Sequence, residues 1–124
     1  MSRCILISKG AELVRVPVEH LVFIQAEGNY SHLVTRDGRR TLISYQLGQI
    51  EDIIEDQLGD TGGQFLRIGR GLIVNSVFIY QIDITSQRLV LSDCNGCYHE
   101  LSASKEVLTK LKVWMESELN SVQK

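Results

Sequence analysis

Proline occurs once, at Pro17, and cysteine three times in 124 residues. One proline and ten glycines leave little material for a long disordered linker. An odd cysteine count argues against the disulfide framework of a small secreted domain. Long apolar runs are missing as well. Nothing approaches the roughly 18 consecutive apolar residues of a membrane span. Met1 to Lys9 holds only a short apolar stretch before polar residues return, so no secretory signal is expected. These absences point to the cytoplasm, with no membrane partner. Catalytic signatures are missing too: there is no Gly-x-Ser-x-Gly, no phosphate-binding P-loop and no His-Glu-x-x-His. The expectation is therefore a protein that is not an enzyme, takes no small-molecule substrate and carries no cofactor.

An excess of positive charge is also lacking. The net charge is -2, whereas nucleic-acid binders draw most of their affinity from lysine and arginine on phosphates. What decides the matter is placement rather than the sum. Acids gather in Glu51, Asp52, Glu55, Asp56 and Asp60, while Arg36, Arg39, Arg40, Arg67, Arg70 and Arg88 sit in strand-like segments. A DNA reading expects Arg36, Arg67, Arg70 and Lys105 to converge on one face. Cys94-Asn95-Gly96-Cys97 invites a zinc or redox reading, but Cys4 and His99 would have to complete a zinc set at unfamiliar spacing. A redox Cys-x-x-Cys opens a helix, and this one straddles a turn. Reduced bystander thiols and no metal are expected.

What is present is a chain of short strands, long enough for one domain over 1–124. Cys4–Ile7, Leu13–Val16, Leu21–Ile24 and Tyr30–Thr35 are β-rich, with Pro17 at a strand edge. Asp37-Gly38 predicts a type I′ hairpin between Tyr30–Arg36 and Arg39–Ile43. Leu47, Ile50, Ile54 and Leu58 form one helical stripe, with Ser44 as cap and Gly59 as stop. Phe65–Ile68 and Leu72–Asn75 flank Gly69-Arg70-Gly71. Val77–Ile84 and Arg88–Leu91 follow, and Asn95-Gly96 predicts a second hairpin turn before Tyr98–Leu101. Val107, Leu108, Leu111, Trp114, Met115 and Leu119 mark a closing helix behind a Ser102 or Ser104 cap. The fold class is mainly β, in short antiparallel strands, with two short helices.

Three blocks in register resemble the LytTR family of bacterial DNA-binding domains. The first is Val18–Tyr30, a strand running into Glu27-Gly28-Asn29-Tyr30. The second is Phe65-Leu66-Arg67-Ile68-Gly69-Arg70-Gly71-Leu72-Ile73-Val74-Asn75. The third is Leu101-Ser102-Ala103-Ser104-Lys105. Together they cover about residues 12–113. The resemblance implies stacked sheets of short strands, loops that enter successive grooves of double-stranded DNA, and a role in transcription regulation. A DNA-binding role further suggests a homodimer on two half-sites about one helical turn apart. Residue by residue, it makes Ser31 or His32, Arg70, and Ser104 or Lys105 base-contact candidates. Arg67 and Ser102 match DNA backbone-contact positions, and Arg36 joins them by its charge. No receiver domain is expected within this length. Two departures stand out: Gly69 and Gly71 replace a histidine and a serine, and Ser104 stands where the family has a basic residue.

Read without the family, the same residues keep alternatives. Arg70 could contact guanine or enter a narrow minor groove, or be an exposed arginine on a bulge. His32 could donate to DNA or be a surface histidine without a role. Ser104 and Lys105 open a helix, which suits either a phosphate or simple capping. Asn75 reads as a structural strand end, and Tyr30 as core. The rival from another class is a protein-interaction module that keeps the fold, has lost strong DNA affinity and pairs with another regulator.

Overall fold

The computed structural model describes residues 3–123, with side chains described to residue 118. The chain forms two compact units, Met1–Val77 and Phe78–Lys124. The first begins with a two-stranded hairpin, β1 (Cys4–Lys9) and β2 (Glu12–Pro17). A five-stranded antiparallel sheet follows, built from β3 (Leu21–Glu27), β4 (Tyr30–Thr35), β5 (Arg40–Ile43), β6 (Phe65–Ile68) and β7 (Leu72–Asn75). Their spatial order is β5-β4-β3-β7-β6. Helix α1 (Leu47–Leu58) lies between β5 and β6 in sequence.

Strand alternation explains the core. Ile24, Leu33, Ile43 and Ile73 project from one side of the sheet and join Ile5, Ile7, Val16 and the α1 residues Leu47, Ile50 and Ile54 in one buried cluster. Burying each such side chain contributes roughly 1.5–3 kcal/mol over leaving it in water. Leu58 is half-buried and Ile53 adds to the stripe. Asn75 is the buried polar member. Its Nδ2 donates to the carbonyls of Leu21 (2.8 Å) and Val18 (3.4 Å), and its Oδ1 accepts from Gln64 and the Val77 N–H. Its role reaches well past its own turn.

Three local expectations are corrected. Gln46 rather than Ser44 precedes α1: its N–H donates to Gln49 Oε1 at 2.8 Å, satisfying a group the helix leaves over. The β4–β5 hairpin is not a two-residue type I′ turn. Gly38 N–H donates to Thr35 O and Thr35 N–H to Arg39 O, with positive φ at Gly38 alone, so Arg36-Asp37-Gly38 is a three-residue loop closed by a bulge glycine. Tyr30 is not core. Alternation turns Ser31 and Leu33 inward and leaves Tyr30 47% exposed.

The second unit holds β8 (Ile79–Asp83), β9 (Arg88–Ser92) and β10 (Tyr98–Ser102), paired antiparallel in the order β10-β9-β8. Leu89, Val90 and Leu91 are buried. The β9–β10 connection is longer than an Asn95-Gly96 turn. Asp93 Oδ1 accepts from the Asn95 and Cys97 N–H groups, and Cys94 and Gly96 take positive φ, so an Asx-type loop replaces it. Helix α2 (Lys105–Gln123) closes the unit, with Leu108 and Leu111 buried and Val107, Trp114 and Met115 half-buried. The side chain of Leu119 lies outside the described residues. Among the described residues no helix is long and apolar enough to cross a membrane.

Candidate nucleic-acid interface

One end of the five-stranded sheet collects two of the three expected contact regions. Gln25 on β3 pairs with His32 on β4 and with Leu72 on β7. One residue further on, Ala26 pairs with Ser31 and donates its N–H to Gly71 O at 2.9 Å. The Gly28-Asn29 turn and the Gly69-Arg70-Gly71 loop therefore leave the sheet at the same end. Gly28 and Gly69 both take left-handed φ, 61° and 62°, which a side chain would resist and which lets the chain reverse within so few residues. The strands on either side of Arg70 are in register, Ile68 opposite Leu72, so Arg70 is the tip of a short β6–β7 loop.

The side chains at this end are not equivalent. Ser31 is fully buried and its hydroxyl donates to Tyr45 O at 2.7 Å. That corrects its candidacy for base contact: it faces the core and cannot reach a groove. His32 is 23% exposed, with Nε2 against Glu27 Oε2 at 2.7 Å, while its Nδ1 is buried without a hydrogen-bond partner. Arg67 is occupied twice. One Nη donates to Glu51 of α1 and the other to Arg70 O at 2.8 Å, while the side chain stays 32% exposed. Arg70 is exposed. Its guanidinium has no hydrogen-bond or ion-pair partner among the described residues.

Arg36 lies elsewhere. Its loop joins β4 to β5, and its N–H donates to His20 O at the start of β3, the opposite end of the sheet from Arg70. The expected convergence of Arg36 with Arg67 and Arg70 is thus corrected by the hairpin register. In the second unit, Ser102 ends β10 opposite Arg88 and is exposed. Ser104 caps α2, its Oγ accepting from Val107 N–H at 3.2 Å and its carbonyl from Leu108 N–H at 3.0 Å. Lys105 follows as the first helical residue, exposed, with no ion-pair partner for its ammonium among the described residues.

Sequence reasoning passed over α1 as part of this region. Gln46 donates to Asn29 Oδ1 at 3.0 Å and Glu51 pairs with Arg67, so the acidic helix supports both loops. No spacing rule carries that signal. Cys94 is exposed and Cys97 buried, and neither forms a disulfide. No group of three or more His, Cys, Asp or Glu side chains able to hold a metal occurs among the described residues.

The short antiparallel strands with two helices define the fold class, and the family match assigns it. The family model for the LytTr DNA-binding domain matches residues 11–116. The chain belongs to the LytTR family, a family of DNA-binding domains and not an enzymatic one. A solved structure, the LytTr DNA-binding domain of a Bacillus cereus protein described as a methyl-accepting/DNA response regulator, is 18% identical with a TM-score of 0.60. The match covers 93% of this chain and 97% of that one, and it supports the mainly β fold with two helices. A search of curated proteins gave no match.

Proposed function

We propose that this domain reads specific double-stranded DNA with its loops and serves bacterial transcription regulation. The observation that carries the reading is Arg70: an exposed guanidinium without an internal partner, on a loop whose backbone is bonded on both sides. The other basic or imidazole side chains placed there have partners within the protein: His32 bonds Glu27, Arg67 pairs with Glu51, and Lys9 donates to Ser44 O. A free, fork-shaped donor on a fixed loop suits the O6 and N7 acceptors of guanine in the major groove.

His32 would join from β4 on leaving Glu27. Ser104 and Lys105 would meet DNA at the start of α2, where unpaired N–H groups and the helix dipole favour a phosphate oxygen. Ser102 would serve as a backbone contact, whereas Arg36, at the opposite end of the sheet from Arg70, would not share that surface. Two protomers would occupy half-sites about one helical turn apart, in the cytoplasm.

The test is selection of bound duplexes from a random library, with the winner titrated over a salt series. A repeated half-site should emerge, its affinity falling steeply with salt. No enrichment at low salt would overturn the DNA reading and favour a protein partner, in keeping with the net charge of -2.

A further inference from the structure

Glu51 lies on a helix that carries no contact candidate, yet it is one side chain removed from the loop tip. It accepts from Arg67, and Arg67 donates through its other Nη to Arg70 O at 2.8 Å. A planar guanidinium can serve two acceptors at fixed angles, which a lysine ammonium cannot reproduce. On the far side, Gly71 O is held by Ala26 N–H. The loop needs such holding, because Gly69 and Gly71 give it more backbone freedom to lose than any other residues would. Gln46, at the N-cap of the same helix, bonds Asn29 and supports the neighbouring turn.

We infer that Glu51 and Arg67 are positioning residues for DNA discrimination, fixing the Arg70 carbonyl so that the Arg70 guanidinium meets a base edge in one orientation. This rests on the reading that Arg70 contacts DNA. A bidentate base contact needs that orientation, whereas a phosphate accepts a cation from many directions. The relay therefore acts on the ratio of specific to non-specific affinity, and not on affinity for DNA as such.

The direction of the effect is diagnostic. By charge alone, Glu51→Gln removes a repulsive carboxylate and should tighten binding to every duplex. The relay requires the opposite for the preferred site. The experiment compares wild type, Glu51→Gln, Arg67→Lys, Arg70→Ala and the Glu51→Gln/Arg70→Ala double variant. Each is titrated with the selected duplex and a random duplex over a salt series. Glu51→Gln and Arg67→Lys should each lower discrimination by about tenfold, with unchanged salt slopes, and Glu51→Gln should add nothing in the Arg70→Ala background.

Discrimination kept by both Glu51→Gln and Arg67→Lys while Arg70→Ala loses it would overturn the relay and leave the DNA reading intact. An equal loss from Glu51→Gln with and without Arg70 would also overturn it. Full discrimination by Arg70→Ala would overturn the Arg70 reading, and the inference with it. Amide ¹⁵N relaxation of Gly69, Arg70 and Gly71 in DNA-free protein reports on the brace separately. Order unchanged by Glu51→Gln would overturn the relay whatever happens with DNA.

Discussion

Arg70 and Lys105 are both exposed cations where a strand or loop gives way to the next element, and the chain holds them in opposite ways. The Arg70 backbone is pinned: its carbonyl is taken by Arg67, and Gly71 is tied to β3. Lys105 opens a helix and is held only as any first-turn residue is, behind the Ser104 cap, with its carbonyl accepting from Thr109 Oγ1 at 2.7 Å. At one site, bonds from Arg67 and Ala26 hold the backbone on which the cation sits. The other offers a flexible four-carbon stem with a compact charge at its end. On the proposed reading, a guanidinium on a held backbone suits base edges, while a mobile ammonium near a helix N-terminus suits phosphates. On that reading, the difference would separate base recognition from phosphate contact.

The largest effect should come from the buried polar group that closes the other end of β7. Asn75 ends β7, and its amide makes four bonds to Val18, Leu21, Gln64 and Val77. Asn75→Ala would leave buried carbonyls and an N–H without partners, at about 2–4 kcal/mol. Urea denaturation should show a lower midpoint with an unchanged slope. A stability within 0.5 kcal/mol of wild type, roughly the scatter of surface changes, would mean that β7 does not depend on it.

The comparison itself is tested by truncating each cation. Arg70→Ala should cost roughly 1–3 kcal/mol on the preferred duplex and much less on random DNA. Lys105→Ala should cost under about 1 kcal/mol on both and lower the salt slope by about one. Titrations of both duplexes in low and high salt decide the matter. Equal losses on both duplexes for Arg70→Ala would reduce it to another phosphate contact, and the contrast between the two sites would vanish.

The parts legible in the sequence were those that one periodicity governs. Phe65–Ile68 and Leu72–Asn75 occur as strands at the expected bounds, and Leu47, Ile50 and Ile54 face the core as their spacing requires. Gly69-Arg70-Gly71 was visible as a bend because two glycines beside an arginine leave little else to expect. The phase of β4 was not legible. Leu33 on one face and Val34 on the other are both buried, so the apolar pattern does not choose between faces, and Ser31 goes inward with Leu33 where Tyr45 O, fourteen residues away, accepts its hydroxyl. The two hairpins were misread for a related reason. Asp-Gly and Asn-Gly suit the tightest turns, but Asp37 and Asp93 bond N–H groups two or more residues further on and open longer loops. The Glu51–Arg67–Arg70 relay joins three elements, and no window of sequence contains it.

Asp37 supplies a third way of holding a basic residue, and the smallest predicted effect. Its carboxylate organises the loop of Arg36, accepting from Thr35 Oγ1 at 2.6 Å and from Arg39 N–H at 3.1 Å. The Thr35 hydroxyl first, and then the Arg39 N–H, hold its pKa below the ordinary 3.8, since both bonds favour the charged form. A carboxylate with a depressed folded pKa adds stability that is complete above the unfolded pKa. That contribution fades as pH falls below 3.8 and is gone below the folded value. Asp37→Asn should therefore be slightly less stable than wild type at neutral pH, and the gap should close in acid. Urea midpoints for both proteins at a series of pH values measure it. A gap that persists below the folded pKa would assign the effect to lost geometry rather than charge. Because this loop lies at the far end of the sheet from Arg70, site discrimination should be untouched at neutral pH. If it falls with Asp37→Asn, the two ends of the sheet are coupled and Arg70 is not held by α1 and β3 alone.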